Sequence, residues 1–339
     1  MRDLPVKESL PRPVAGLAAW RHRLRVPVIA APMYLISYPA LVIAQCTAGI
    51  VGTFPSLNAR SPAQLDEWLH EIAAALSRWD RDHAGRPAAP FGVNLVVHRS
   101  NSRVDEDLAL CASHRVPLVI SSMGARVEVN AAIQQYGGVT LHDVTSQAHA
   151  RKAIQKGATG LIAVAAGAGG HTGALSPFAL VEEITAWFDG PLALSGAIGS
   201  GRAVAAAIAT GANFAYVGSA FIATAESAAS SAQKAAMIAA SAEDIVCTPA
   251  FSGTPANYLR SSLVAAGIDP DTLPATRRAP EVGRPEHSAR TWSEIWGSGH
   301  GVGAVRAVES ARAVVDRLVD EYHATIDRMV ASRAEEMTR

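Results

Sequence analysis

A histidine set among glycines is the feature of this 339-residue sequence most able to do chemistry. His171 lies in Ala166-Gly167-Ala168-Gly169-Gly170-His171-Thr172-Gly173, where no packing demand asks for imidazole. A ring with a pKa near neutrality can take a proton or donate a hydrogen bond; the competing reading is a structural surface histidine. Two further stretches suit a phosphate: Leu194-Ser195-Gly196-Ala197-Ile198-Gly199-Ser200-Gly201 and Val217-Gly218-Ser219-Ala220. Glycines let the backbone approach a dianion, and N–H groups at helix N-termini donate to it. The same glycines could simply make tight turns. Asn94 is a polar residue emerging from the apolar run Phe91–Leu95. Gly199-Ser200-Gly201 does not complete a dinucleotide fingerprint, because Val204 stands where the third glycine belongs and no acid follows before Glu226. His22, His70, His83, His114, His149 and His287 have no comparable setting and read as solvent-facing. No pairing of histidines with carboxylates shows metal-ligand spacing, so no metal is expected.

The elements that must position these residues alternate. Strands are expected near Val28–Ala30, Ile50–Gly52, Phe91–Leu95, Leu118–Ser121, Val139–Leu141, Gly160–Val164, Leu192–Ser195 and Phe214–Val217. Helical stretches fall between and after them, near Pro39–Cys46, Pro62–Trp79, Asp105–His114, Glu128–Gln135, Ser146–Lys156, Pro177–Phe188, Gly201–Thr210 and Ser227–Ala240. Ser61 before Pro62 reads as an N-cap, and Gly157 and Gly211 as left-handed helix stops. Strands alternating with helices imply parallel pairing, and eight such units favour a closed α/β barrel, the (β/α)8 TIM barrel, over an open doubly wound sheet. In such a barrel the loops after the strands carry function, and those after strands seven and eight commonly hold a phosphate.

The expected organisation is an N-terminal arm with Pro5, Pro11 and Pro13 followed by the barrel over 1–240, an insertion over 241–300, and a closing C-terminal helix over 301–339. The insertion holds Pro249, Pro255, Pro270, Pro274, Pro280 and Pro285 and little periodicity, and reads as an irregular cover over the barrel mouth. Trp292 and Trp296 could form an apolar wall there, or could simply pack. Val302–Val330 keeps helical spacing through Val305, Val308, Ala311, Val315, Leu318 and Tyr322.

Lys plus Arg and Asp plus Glu number 30 each, so the zero formal charge leaves no electrostatic footprint for nucleic acid or an anionic membrane. No uncharged apolar run approaches the roughly 20 residues needed to span a bilayer, and the N-terminal stretch with Arg2, Asp3, Lys7 and Glu8 lacks the apolar core of a secretory signal. Cys46, Cys111 and Cys247 are odd in number and outside any CxxC, which points away from a disulfide framework and toward a reducing cytoplasm. Nothing in the sequence fixes an oligomeric state.

Almost the whole chain resembles the nitronate monooxygenase family, formerly 2-nitropropane dioxygenases. The resemblance is carried by Val26-Pro27-Val28-Ile29-Ala30-Ala31-Pro32-Met33, Pro90-Phe91-Gly92-Val93-Asn94-Leu95, Ala168-Gly169-Gly170-His171-Thr172-Gly173, Ser195-Gly196-Ala197-Ile198 and Gly218-Ser219-Ala220-Phe221. Thr248 with Ser252-Gly253-Thr254-Pro255-Ala256, and Trp296-Gly297-Ser298-Gly299-His300-Gly301, are also similar to late family segments. It implies an FMN-dependent barrel oxidoreductase that uses O2 to convert alkyl nitronates, or nitroalkanes, to a carbonyl compound and nitrite. By the same resemblance His171 is the catalytic histidine, as base or as hydrogen-bond donor. Ala31, Pro32, Met33 and Asn94 would line the isoalloxazine ring, and Gly169 and Gly170 would contact the cofactor. Ser195, Gly196, Ala197, Gly218 and Ser219 would hold the phosphate. The chain departs from the family pattern in three places. Ile162-Ala163-Val164-Ala165-Ala166 lacks the glutamine or acid that often binds the flavin, Asp143 stands near where some relatives carry a basic residue, and Tyr34-Leu35-Ile36-Ser37 is bulkier than many first loops. Two alternatives remain open at this stage: an NAD(P)H-dependent reductase of quinones or enoyl thioesters on the same barrel, and a non-catalytic flavin- or phosphometabolite-binding protein. An IMP-dehydrogenase-like enzyme is disfavoured because the loop after strand six has no cysteine.

Overall fold

The computed structural model describes Trp20, residues 22–274 and residues 292–337. The expected N-terminal arm with Pro5, Pro11 and Pro13 lies outside the described residues, as do Pro280, Pro285 and His287. Eight parallel strands form one sheet: β1 (Val28–Ala30), β2 (Gly52–Pro55), β3 (Phe91–Val96), β4 (Leu118–Ser122), β5 (Val139–Val144), β6 (Gly160–Val164), β8 (Leu192–Ser195) and β9 (Phe214–Val217). The two-residue β7 (Gly170–His171) stands outside it. Its strands run in the order β1-β9-β8-β6-β5-β4-β3-β2, and the parallel bridge Ile29↔Val51 joins the two ends into a barrel. Helices α1 (Pro39–Ala48), α2 (Pro62–Asp82), α3 (Val104–Ser113), α4 (Val127–Gln135), α5 (Gln147–Gln155), α6 (Pro177–Thr185) and α7 (Gly201–Ala209) intervene along the chain.

Period-2 alternation sorts each strand's side chains between lumen and helical layer. Ile29, Ile120, Leu141, Ile162 and Tyr216 pack together in the lumen, whereas Phe54, Val93 and Val119 pack with the α2 residues Leu65, Leu69 and Ile72. Being covered on both faces, the strands read as near-continuous apolar runs. Ser61 caps α2 by accepting from the Gln64 N–H at 3.2 Å, and Gly157 and Gly211 adopt φ +86° and +106° as expected of left-handed stops. The second strand is displaced from Ile50–Gly52: the Ile50 N–H bonds back to Gln45 at the end of α1, Val51 bridges β1, and the pairing with β3 begins at Gly52. Pro55 is tolerated as its last residue, opposite Asn94.

The segment after the barrel is less irregular than its composition suggests. Helix α8 (Ser231–Ala239) is followed by β10 (Ile245–Thr248) and β11 (Ala256–Leu259), which form an antiparallel hairpin, and by α9 (Arg260–Ala265). Pro249 and Pro255 lie between the two strands, where a proline costs no ladder hydrogen bond. β11 then pairs antiparallel with β7, with Ala256 opposite His171 and Asn257 opposite Gly170. The closing helix α10 (Ala311–Met337) begins later than its apolar spacing implied: Ser310 accepts from the Ala313 N–H at 3.1 Å, His300–Ala304 is a 3-10 turn, and Val308 is exposed. It packs on α7, where a Cβ on Gly201 would lie 2.2 Å from the Leu318 carbonyl oxygen. Among the described residues no helix is long and apolar enough to cross a membrane, and all three cysteines are free, with only Cys247 exposed.

Candidate active site

The C-terminal ends of the strands converge on a mouth assembled from glycine-bearing loops. The Ala31 N–H bonds to the Val217 carbonyl at 2.9 Å, which docks the loop after β1 beside the end of β9. A Cβ on Gly218 would stand 3.3 Å from the Ala31 Cβ, so glycine lets these loops close on one another. Asn58 makes the first loop rigid: its Nδ2 donates to the Met33 and Ser37 carbonyls at 3.1 and 2.7 Å, and its Oδ1 accepts from the Leu35 N–H at 2.8 Å. Asn94 is buried on the lumenal register of β3 and donates to the Ile120 carbonyl at 3.1 Å and to Ser122 Oγ at 2.9 Å.

The loops after β6 and β8 touch directly. Gly196 and Ala197 both carry positive φ, +144° and +55°, and the Ala197 N–H donates to the Gly167 carbonyl at 3.2 Å. A Cβ on Gly196 would fall 2.8 Å from the Ala166 carbonyl oxygen, a backbone contact that only glycine permits. The Ser298–Gly301 segment threads between these loops. His300 N–H bonds to the Gly167 carbonyl at 3.0 Å, and Gly299 N–H bonds to Ser219 Oγ at 3.0 Å. Ser219 Oγ thus accepts within the protein and keeps its own hydrogen to donate. The expected site residues fall into these neighbouring loops, with Ala31, Pro32, Met33, Gly170, Ser195 and Gly218 half-buried, and Gly169, His171 and Ala197 exposed.

His171 is held by the hairpin rather than by the barrel. Its Nε2 lies 3.1 Å from Ser252 Oγ, whose own hydrogen donates to the Thr254 carbonyl at 2.9 Å. With that hydrogen used on Thr254, the hydroxyl suits accepting from Nε2–H, and among the described residues Nδ1 has no hydrogen-bond partner. Trp292 packs edge-on to the ring at 5.7 Å between centroids and also against the buried Tyr258 at 5.3 Å. The Tyr258 hydroxyl lies beside Ser252 but forms no hydrogen bond of good geometry. His171 is exposed at its outer edge yet surrounded closely enough that desolvation lowers its pKa below the ordinary histidine value, so the ring is neutral at pH 7. Asn257 Nδ2 donates to the Ala168 carbonyl at 2.7 Å and fixes the loop leading to it. Asn58, Ser252 and Asn257 act by holding backbone or a ring, roles with no local sequence signature. His114 is not solvent-facing as expected; it is half-buried against Asp66.

Asp143 lies on the same inward register of β5 as Val139 and Leu141. Burial pushes its carboxyl up to about 7 and its Oδ1 has no hydrogen-bond partner among the described residues, while burial first and the Asp143 charge second raise the pKa of the lumenal Tyr216. A carboxyl whose folded pKa exceeds its unfolded value costs stability as pH rises from about 4 to about 7, because only the folded state then holds the proton. D143N is therefore expected to gain stability over the native chain across that window, with a gap that is constant above it. The ceiling is about 4 kcal/mol for three pKa units, lowered by the solvent that still reaches the residue. Thermal unfolding of both proteins from pH 4 to 9 measures this, and parallel curves would show that Asp143 is not perturbed.

The closed eight-stranded parallel barrel, with glycine-rich loops at its strand ends and a histidine on the small sheet beside them, is a (β/α)8 TIM barrel. The nitronate monooxygenase family model matches residues 19–321, and the chain belongs to that family. A putative monooxygenase of Mycobacterium tuberculosis is 31% identical over 196 residues, covering 53% of this chain and 52% of that relative, so the match spans about half of its length. A nitronate monooxygenase of Paraburkholderia phytofirmans is 26% identical over 72% of this chain and 76% of the relative. Among solved structures, nitroalkane oxidase from Streptomyces ansochromogenes shares the fold with a TM-score of 0.77 at 23% identity, covering 93% of this chain and all of that one (100%).

Proposed function

We propose that this chain is an FMN-dependent enzyme that oxidises alkyl nitronates, and nitroalkanes after proton removal, with O2 to a carbonyl compound and nitrite. The observation that carries the reading is His171, its Nε2 held 3.1 Å from Ser252 Oγ beside a glycine-lined mouth, in a member of this family. The residues fit FMN: glycines at the ends of β8 and β9, Gly196 and Gly218, let the main chain approach a phosphate closely, while half-buried Ala31, Pro32 and Met33 offer an apolar surface to a flat ring. Gly196, Ala197, Gly218 and Ser219 would hold the phosphate, with Ser195 alongside. Asn94, Gly169 and Gly170 would border the ring. Bound there, FMN supplies the electron transfer between substrate and oxygen. His171 Nδ1 takes the α-proton of a neutral nitroalkane, and Ser252 keeps the opposite nitrogen protonated so that the lone pair stays aimed outward. Trp292 and the Ile245–Leu259 hairpin, as a cover over the mouth, limit which substrates reach that nitrogen. Three unpaired thiols suit the reducing cytoplasm.

The deciding experiment mixes the purified yellow protein anaerobically with a nitronate and, separately, with NADH, following flavin absorbance. Bleaching by the nitronate and not by NADH is the expected result. Rapid bleaching by NADH alone would reassign the chain to quinone or enoyl-thioester reduction, and a flavin inert to both would leave only a binding role.

A further inference from the structure

Outside the barrel mouth, three side chains of metal-ligand type converge on the helical layer. Asp66 and His70 lie one turn apart on α2, and His114 follows the last turn of α3. His114 Nε2 lies 2.6 Å from Asp66 Oδ1, His70 Nδ1 lies 3.9 Å from the same oxygen, and the two imidazoles meet edge to face at 4.5 Å. One ligand atom from each residue falls within 4.8 Å of the other two. An ion pair tying α2 to α3 accounts for Asp66 and His114 alone. His70 Nδ1 also lies 3.3 Å from the Asp66 main-chain carbonyl, a contact that keeps the exposed ring over the same carboxylate and that it would exchange for the ion.

We propose that Asp66, His70 and His114 form a binding site for a divalent transition ion of the zinc class, with one coordination position left to water or an outside ligand. The donor set decides the class, because two imidazoles and one carboxylate suit zinc, nickel or copper, whereas calcium and magnesium demand oxygen ligands. The geometry suits it as well. A tetrahedral ion with ligands at about 2.0–2.1 Å holds neighbouring donor atoms about 3.3 Å apart, and the observed separations of 2.6 and 3.9 Å bracket that value. His114, 13% exposed, is fixed by its surroundings, while His70, 74% exposed, can swing to complete the set. The bound ion would replace the Asp66–His114 hydrogen bond by a clamp between α2 and the end of α3. The spacing of Asp66 and His70 is visible in the sequence, against the expectation of no metal, but the third ligand belongs to another helix and becomes a neighbour only in the fold.

The test titrates ZnCl2 into the EDTA-treated full chain by calorimetry and repeats the titration with CoCl2, reading the visible bands of tetrahedral cobalt. One equivalent bound, with a raised melting temperature, is expected. H70A should weaken binding by about 10–100-fold or more and D66N should remove the cobalt bands, while H171N leaves both unchanged. His70 is so exposed that H70A keeps the test open if a variant at half-buried His114 fails to fold. No binding to the native chain, or binding untouched by D66N and H70A, overturns the proposal.

Discussion

Replacement of His171 by Asn is expected to lower turnover of neutral nitroalkanes by about 10²–10⁴-fold, the usual worth of a positioned general base, while FMN stays bound. Asparagine keeps a polar group near Ser252, so the Ser252 oxygen is not left an orphan acceptor. The loops after β8 and β9, proposed to hold the phosphate, do not depend on the imidazole. Preformed nitronates need no proton removed and should lose far less. Because desolvation lowers the His171 pKa, the acid limb of kcat/KM with nitroalkanes should fall below the ordinary histidine value, and it should vanish in the variant. Steady-state rates with both substrate forms across pH measure all of this. Native rates for both forms in H171N would remove His171 from the chemistry.

The second large effect concerns stability. Gly201→Ala would ordinarily favour a helix by about 1 kcal/mol. Here it is expected to destabilise by about 3 kcal/mol and to lower the melting temperature by roughly 5 °C. The new Cβ would stand 2.2 Å from the Leu318 carbonyl oxygen and 2.4 Å from the Tyr322 nitrogen, both main-chain atoms that cannot step aside as a flexible side chain could. The Gly201 N–H also donates to Glu321 Oε2 at 2.7 Å, so α7 cannot draw back from α10 without giving up a hydrogen bond. Gly85→Ala is the control, since nothing lies within 4 Å of its added methyl, and it should change stability by no more than about 0.5 kcal/mol. Equal melting of G201A and the native chain would show that the two helices have slack between them.

Barrel strands were legible where burial on both faces leaves a short apolar run between turn signals. Gly160–Val164 and Leu192–Ser195 match the structure end to end for that reason. The second strand slipped because Ile50 and Val51 are as apolar as ladder residues while the backbone at Ile50 is still engaged by α1. The hairpin of Ile245–Leu259 went unseen although Ile245 and Val246 have strand character, since its flanking prolines resemble loop and its partner β7 is distant in sequence. His171 itself could be picked from its glycines. Its restraint by Ser252 could not, because a hydrogen bond across 81 residues leaves no local pattern.

The antiparallel pairing of β11 with β7 puts the proposed base on a small sheet of its own, in the order β10-β11-β7, apart from the barrel that carries the proposed phosphate loops. For protein engineering this separates two tasks that many enzymes build into one wall. A library confined to the Ile245–Leu259 hairpin, with Asn257 kept because it holds the Ala168 carbonyl, would vary the basicity, tilt and reach of His171 against unchanged loops after β8 and β9. Transplanting a hairpin of different length would move the reactive nitrogen bodily across the mouth, a coarser adjustment than any single substitution in the barrel could make.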